Sequence, residues 1–254
     1  MTSGKAMRAG SRFPGILAVL AVIVLPALGG CGGPTLTDPA TLHSPAPYER
    51  ILAVAPFLNE SGVSRLDEAH VADLFAQEAE QVRGIRTIPV NRVIAAMQAL
   101  QIDAVTTEHQ ARSLMHLLNV DGLVVGTIVT YDAHPPLRLG MAVELVTRDR
   151  ASAGTLDLRQ SVRSPAGEPT TPTERGVAKV RTSGLFEASN HETRRQLEQY
   201  AAGRSVPDSA YGGRIYEVSM AQYTRFVSHR LLGDLFAQEQ RRMDLAAAER
   251  TTSR

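Results

Sequence analysis

The seven histidines and the one cysteine are the side chains best suited to metal binding or nucleophilic catalysis. The histidines are scattered, and the nearest pair, His109 and His116, stands two helical turns apart with no third ligand at metal spacing. The chain also lacks a G-x-S-x-G nucleophile elbow, a G-x-x-x-x-G-K-S/T phosphate loop and a G-x-G-x-x-G dinucleotide fingerprint. We therefore predict no metal site, no cofactor, no catalytic residue and no enzymatic activity.

One polar turn stands where a ligand would bind. Asn59, Glu60 and Ser61 follow a short apolar run that is typical of a buried strand, and open α/β sheets bind ligands at the carboxyl ends of their strands. The alternative is a polar turn that only caps the next helix, and the sequence leaves both open. His229, four residues after Arg225 on a predicted helix, is interpreted as a partly solvated polar contact.

Composition excludes two broad classes. Of 254 residues, 43% are hydrophobic and 21% are charged, with 27 basic side chains against 26 acidic ones. That balance excludes a disordered chain and a nucleic-acid-binding protein of the basic type. A single cysteine excludes an internal disulfide framework.

The amino terminus has the pattern of a secretory signal. A basic stretch from Met1 to Arg12 precedes the apolar run from Ile16 to Leu28, and Gly29 and Gly30 follow. As a helix that run would reach only about 20 Å, less than the ~30 Å hydrocarbon core of a bilayer. We therefore predict a signal peptide over residues 1–30 rather than a permanent transmembrane helix.

Leu28, Gly29, Gly30 and Cys31 together resemble the lipobox of bacterial lipoproteins. The resemblance implies cleavage between Gly30 and Cys31, a diacylglyceryl group on the Cys31 thiol and acylation, as with palmitate, of the new amino terminus. Two or more acyl chains hold a protein on a membrane permanently. Gly32 stands where an aspartate would signal inner-membrane retention, so the resemblance favours the outer membrane. The alternative is an ordinary signal peptide with a free cysteine.

Hydrophobic patterning predicts an α/β (α+β) fold with helices packed on a mixed sheet. Apolar runs at Ile51–Phe57 and Leu123–Val129 predict buried strands. Ile85–Val90 predicts a further strand near an edge of the sheet, because Pro89 cannot donate a ladder hydrogen bond. Alternation of apolar and polar residues in Leu137–Thr147 and Thr155–Val162 predicts a β-hairpin with one buried face.

Helical spacing predicts helices between these strands. The first has an apolar stripe, a solvated face and an end at Gly84; Asn91 is predicted to cap the second, and Thr107 with Gln110 to form a capping box for the third. A long helix over 212–240 carries four of the twelve aromatic residues, which predicts a broad buried face. The predicted segments are a signal peptide over 1–30, a flexible tether over 31–47, an α/β domain over 48–163, a flexible insertion over 164–188, C-terminal helices packed on the domain over 189–240, and a frayed tail over 241–254.

The motifs ILAVAPF, NRVIAAMQAL, LLNVDGLVVGTIVTY and VELVTRDRASAGTLDLRQS give Arg50–Val162 a resemblance to a group of periplasmic lipoprotein domains. That group includes the curli secretion-channel lipoprotein, the penicillin-binding-protein activator lipoproteins and the amino-terminal domain of the Tol-system propeller protein. The carboxy-terminal half resembles uncharacterised envelope lipoproteins. Members of the group are adaptors and assembly factors rather than enzymes.

The resemblance implies an adaptor or assembly lipoprotein on the periplasmic face of the outer membrane. Its expected partners are the membrane, through lipid on Cys31, and an envelope protein or further copies of the same chain, with no nucleic acid. The first alternative is a small-molecule sensor that uses Asn59, Glu60 and Ser61, and the second is an envelope hydrolase. A pore like that of the curli channel is not expected, because the predicted hairpin carries charges that a lipid face disfavours.

Overall fold

A mixed β-sheet lies between helices on both of its faces. In the computed structural model, the residues described are 39–148, 177–205 and 209–252, and all of them belong to one compact unit. The predicted fold class is confirmed. In chain order the elements are β1 (Arg50–Val54), β2 (Leu58–Asn59), α1 (Glu68–Ala79), β3 (Ile85–Thr87), α2 (Val90–Ala99), α3 (Glu108–Leu118), β4 (Gly122–Asp132), β5 (Arg138–Arg148), β6 (Val177–Glu187), α4 (His191–Ala201), a 3-10 turn (Gly212–Arg214), α5 (Ile215–Val218) and α6 (Met220–Thr252).

The strand order is β3-β1-β4-β5-β6. Strand β1 pairs in parallel with β3 and β4, while β4, β5 and β6 pair antiparallel. Strand β2 pairs with β4 just beyond the end of β1, with the register shifted by one residue. Val54 pairs with Val124, but Leu58, four residues later, pairs with Thr127, which is only three residues after Val124. The predicted edge position of the strand near Pro89 is confirmed, because β3 pairs only with β1 among the described strands.

The two faces of the sheet carry separate cores. On one face, α1 and α6 pack on the sheet through Phe75, Phe226 and Leu235, which are fully buried. On the other face, α2 and α3 pack through Val93 and Leu114. We call these the α6 face and the α3 face. The broad buried face predicted for the long helix is present, and Tyr223, Val227, Leu231 and Leu232 are at most 1% exposed.

Local side-chain caps fix where the helices begin. Asp67 accepts a hydrogen bond from the His70 amide at the start of α1, and the predicted capping box of Thr107 and Gln110 is present at α3. The prediction for α2 was wrong, because its N-cap is Pro89, without a side-chain hydrogen bond, rather than Asn91. Proline suits a helix start, where its missing N–H is not needed.

The partner of β5 was wrongly predicted. The strand that pairs with β5 is Val177–Glu187, whereas the predicted partner, Thr155–Val162, lies outside the described residues. Part of the predicted insertion over 164–188 is therefore a strand of the sheet, at the end of the strand order. Its pattern is weak, because its α6 face carries Thr182 and Gly184 among the apolar residues.

Both ends of the described chain are more ordered than predicted. The segment 39–47 was predicted as tether, yet Ser44 donates its amide to the Arg83 carbonyl at 2.9 Å and Leu42 packs against the core. The tail predicted as frayed over 241–254 is helical up to Thr252.

The predicted single helix over 212–240 is broken at Ser219, which ends α5. Within the described ranges, no helix combines the length and the apolar character needed to cross a bilayer.

Candidate functional site

The helices that precede and follow β3 lie on opposite faces of the sheet. The link from β1 to β3 runs through α1 on the α6 face, whereas the link from β3 to β4 runs through α2 and α3 on the α3 face. Open α/β sheets bind ligands beyond the carboxyl ends of their parallel strands. The chain beyond Val54, at the carboxyl end of β1, is therefore a candidate position for a ligand.

A groove of about 330 Å³ lies at this place. One wall is the chain after β1, from Ala55 to Leu58, and the other is the segment from Val105 to Glu108 that opens α3. The floor is the α3 face of β4, β5 and β6. Most of its side chains there are aliphatic or charged, and Thr127 adds a hydroxyl: Val125, Thr127, Ala142, Glu144, Val146, Lys179 and Arg181.

Charges stand on the β5–β6 side of the groove. Glu108, in the first turn of α3, forms ion pairs with Lys179 and, at 3.3 Å, with Arg112. The hydrogen bond from Lys179, helped by the charges of Lys179 and Arg112, lowers the pKa of the Glu108 carboxyl below its usual value. Glu144 and Arg181 are register partners on β5 and β6, and neither makes an ion pair with any described residue.

The predicted ligand loop lies beside the groove but does not line it. The Asn59 carboxamide oxygen accepts hydrogen bonds from the Ser61 amide at 3.1 Å and the Ser61 hydroxyl at 2.7 Å, while its nitrogen donates to the Val63 carbonyl at 2.9 Å. The Glu60 side chain is exposed, and its amide donates to the Ile128 carbonyl. These bonds hold a closed polar turn before α1. A ligand-binding role for Asn59, Glu60 and Ser61 stays a prediction.

A buried polar cluster joins α1, α4 and α6. Glu78 is 3% exposed and accepts hydrogen bonds from the Tyr200 hydroxyl at 3.0 Å and from the His229 ring at 3.1 Å. Burial, together with the charge of Glu78 and the hydrogen bond to it, raises the pKa of the Tyr200 hydroxyl. The guanidinium of Arg204 stacks over the Tyr200 ring, 4.3 Å from its centroid. This cluster fastens α4 to the two helices of the α6 face.

His229 is more buried than predicted, with a side chain 13% exposed and paired with Glu78. Arg225 instead donates to Gln77. The neighbouring Ser228 hydroxyl donates to the Thr224 carbonyl at 2.8 Å, so it does not join His229 and Glu78 in a catalytic triad. His109 and His116 are both exposed, and the described ranges contain no group of three side chains placed to ligate a metal.

A second buried carboxylate, Glu239, forms a two-pronged ion pair with Arg50. The two Arg50 terminal nitrogens lie 2.7 and 2.8 Å from the two Glu239 oxygens, and the side chains are 4% and 2% exposed. This pair ties the start of β1 to α6. Sequence analysis missed both buried carboxylates, although each ends the same hexapeptide, DLFAQE, at Asp73–Glu78 and Asp234–Glu239.

The lipidation and cleavage residues, Cys31 and Gly30, lie outside the described residues. No protein-family model matches this sequence, and no curated protein matches it.

Solved structures with similarity to the chain include the C-terminal domain of LpoB from Salmonella enterica, with 10% identity over 54% of this chain and 83% of that one, and a TM-score of 0.34. A lipoprotein from Neisseria meningitidis shares 15% identity over 61% of this chain and 96% of that one, with a TM-score of 0.36. A PelC dodecamer from Paraburkholderia phytofirmans shares 10% identity over 66% of this chain and 88% of that one, with a TM-score of 0.29. The solved structures with similarity to the chain thus include a lipoprotein.

Proposed function

We propose that this chain is an envelope lipoprotein that lipid on Cys31 holds on the periplasmic face of the outer membrane. There it acts as an adaptor or assembly factor through contact with other proteins, without catalysis. The lipobox-like sequence Leu28–Cys31 supports the anchor, because it ends in the one cysteine of the chain. Two or more acyl chains on that residue give permanent membrane attachment without a transmembrane helix.

The observation that carries the contact role is an apolar patch on the α3 face, formed by Val129, Gly140 and Leu185. Val129 and Leu185 are 48% and 56% exposed. A Cβ atom at Gly140 would lie 3.0 Å from a Val129 methyl and 3.2 Å from a Leu185 methyl, so both side chains lie directly beside the glycine. Single exposed apolar residues are common on protein surfaces. Two that flank the same glycine across three strands form a surface that another protein can cover.

Charged groups border the apolar patch. Arg181 lies on the same face of β6, and the ion pair of Arg138 and Glu187, at 2.7 Å, lies at the far end of the strands. An apolar centre with a charged rim is the usual composition of a protein–protein interface. The expected partner therefore presents apolar side chains to Val129 and Leu185. A second copy of this chain would be the homomeric form of the same contact.

The anchor is tested by metabolic labelling with a radioactive fatty acid. We expect label on the wild-type protein and none on Cys31→Ala, and we expect globomycin to cause the unprocessed precursor to accumulate. An unmodified Cys31 thiol in the native protein, measured by mass spectrometry, would contradict the anchor.

The contact is tested by placing a photo-crosslinking amino acid at Leu185 in living cells. Leu117, 51% exposed on α3, is the matched control because its exposure is similar and it lies outside the patch. We expect a discrete crosslinked protein band from Leu185 and from Val129 but not from Leu117, with mass spectrometry separating a different partner from a second copy. Equal crosslinking at Leu117, or none at either patch residue, would contradict the role of this face.

A further inference from the structure

Two opposite charges face the groove from neighbouring strands without meeting. Glu144 on β5 and Arg181 on β6 are opposite each other in register and both line the groove. Residues in such positions have Cα atoms about 4.5–5.5 Å apart, so the two side chains are within easy reach of each other. Within the described ranges, however, neither side chain has a hydrogen bond or an ion pair. The pair leaves one anionic and one cationic group open to a bound molecule.

The surroundings of the two charges differ. Glu144 is half-buried on the floor between aliphatic side chains such as Val125 and Ala142. A half-buried carboxylate of this kind is stabilised by a cation that donates hydrogen bonds. Arg181 is exposed at the rim, and its planar guanidinium suits a carboxylate. The nearby Lys179 is already paired with Glu108, so Arg181 is the cation available to an incoming anion.

Apart from these charges, small and aliphatic side chains such as Ala55, Leu58 and Ala111 line much of the groove. Glu108 and the hydroxyl groups of Thr106, Thr107 and Thr127 lie among them. The groove volume of about 330 Å³ is near the lower end of the range for small-molecule sites, about 300–1,000 Å³. These dimensions suit a ligand with a short aliphatic body rather than a nucleotide or a large cofactor.

We propose that the groove binds a small zwitterion, namely a free α-amino acid with an aliphatic side chain. Its ammonium group binds Glu144, its carboxylate binds Arg181, and its side chain packs against the apolar walls. Two independent observations support this, because the groove lies beyond the carboxyl end of β1, where open α/β sheets bind ligands, and the two unpaired charges line it. This binding function is separate from protein contact and does not depend on it.

The test is isothermal titration of the full lipidated chain in detergent with L-leucine and three analogues. We expect saturable binding of leucine. Leucinamide lacks the carboxylate and N-acetyl-leucine lacks the ammonium, so each is expected to bind about tenfold more weakly or worse, as the loss of one charge-assisted hydrogen-bonded group implies. Glycine is expected to bind more weakly than leucine because it leaves the apolar walls empty.

Variants assign each charge to its group on the ligand. Arg181→Gln is expected to weaken leucine binding about tenfold but to leave leucinamide binding unchanged. Glu144→Gln is expected to weaken leucine binding similarly and to leave N-acetyl-leucine binding unchanged. Arg92→Gln, on the exposed face of α2, is the control and should bind leucine like the wild type. Thermal unfolding of each variant verifies that the fold is intact.

Three results would overturn the proposal. The first is no saturable binding of leucine or of any other aliphatic amino acid by the wild-type chain. The second is leucine binding that both groove variants retain at wild-type strength. The third is tighter binding of the dipeptide leucyl-leucine than of leucine, which would identify the groove as a peptide site instead. Each result is independent of the crosslinking at Leu185.

Discussion

Removal of the Glu239 charge should destabilise the fold strongly. Glu239 and Arg50 form two hydrogen bonds of 2.7 and 2.8 Å between side chains that are 2% and 4% exposed. Glu239→Gln keeps the shape of the side chain but leaves the Arg50 guanidinium buried without a counter-charge. Breaking a buried pair from one side typically costs about 3–5 kcal/mol. At about 2–4 °C per kcal/mol for a domain of this size, the thermal midpoint should fall by about 6–20 °C.

The assay is thermal and urea unfolding of the purified protein followed by circular dichroism. Glu192→Gln is the matched control, because the Glu192–Arg195 pair is also 2.7 Å long but is 52% and 58% exposed. Such surface pairs contribute about 0–1 kcal/mol, so the control should shift the midpoint by less than about 4 °C. The double variant Arg50→Met with Glu239→Leu should recover most of the loss, because no charge stays buried. Equal shifts for Glu239→Gln and Glu192→Gln would refute the reasoning.

Three further predictions follow from single groups. Tyr200→Phe should lower the free energy of unfolding by about 1–3 kcal/mol, because it removes a hydrogen bond to the buried Glu78 carboxylate. Tyr223→Phe should not destabilise the fold, because the Tyr223 hydroxyl is buried and has no hydrogen-bond partner among the described residues. Urea unfolding of the two variants should therefore give different free energies. Because the pKa of Glu108 is lowered in the folded protein, its ionised carboxylate contributes to the free energy of unfolding above pH 4.5, and that contribution is lost as the pH falls through the folded pKa. Glu108→Gln should reduce this pH dependence, which unfolding measured between neutral and acidic pH will show. Gly126→Ala should destabilise by about 1–3 kcal/mol because its Cβ would lie 3.0 Å from the Phe57 ring, whereas Gly233→Ala, whose nearest neighbour would be 3.6 Å away inside α6, should stabilise by up to about 1 kcal/mol.

Features set by local chemistry could be predicted from the sequence. The apolar runs around Ile51 and Leu123 are buried strands, and Thr107 with Gln110 forms its capping box, because both depend on residues within a few positions. The long helix predicted over 212–240 also follows from a local pattern, because its apolar stripe extends over several turns. Its break at Ser219 does not, because α5 and α6 continue the same apolar face on either side of it.

Features set by distant pairing could not be predicted. Strand β6 pairs with β5 across the 28 residues between Arg148 and Val177, and nothing local to either strand specifies that separation. Thr155–Val162 has the stronger alternation, with Leu156, Leu158 and Val162 on one side, so local patterning favoured the nearer candidate. The groove has the same origin, since its floor exists only when β6 lies beside β5 and brings Arg181 next to Glu144.

The two buried carboxylates show a signal that sequence reasoning can use. Glu78 and Glu239 each stand four residues after a buried leucine and three after a buried phenylalanine, on the apolar stripe of their helices. A charge in that position is costly unless a partner from another element meets it. His229 and Tyr200 form hydrogen bonds with Glu78, and Arg50 forms an ion pair with Glu239.

The unequal covering of the two sheet faces explains why the candidate sites share one side. On the α6 face, α1 and α6 pack against a core that extends from Leu52 in β1 to Val180 in β6. On the α3 face, the packed core joins α2 and α3 to the sheet at residues such as Leu123 and Val146, near the start of β4 and the end of β5. The groove and the apolar patch occupy the adjoining strand surface, where Val129 and Leu185 remain exposed. Because the same strands are held from behind by α6, a ligand or partner on the α3 face meets a rigid surface, and binding there costs little ordering of the chain.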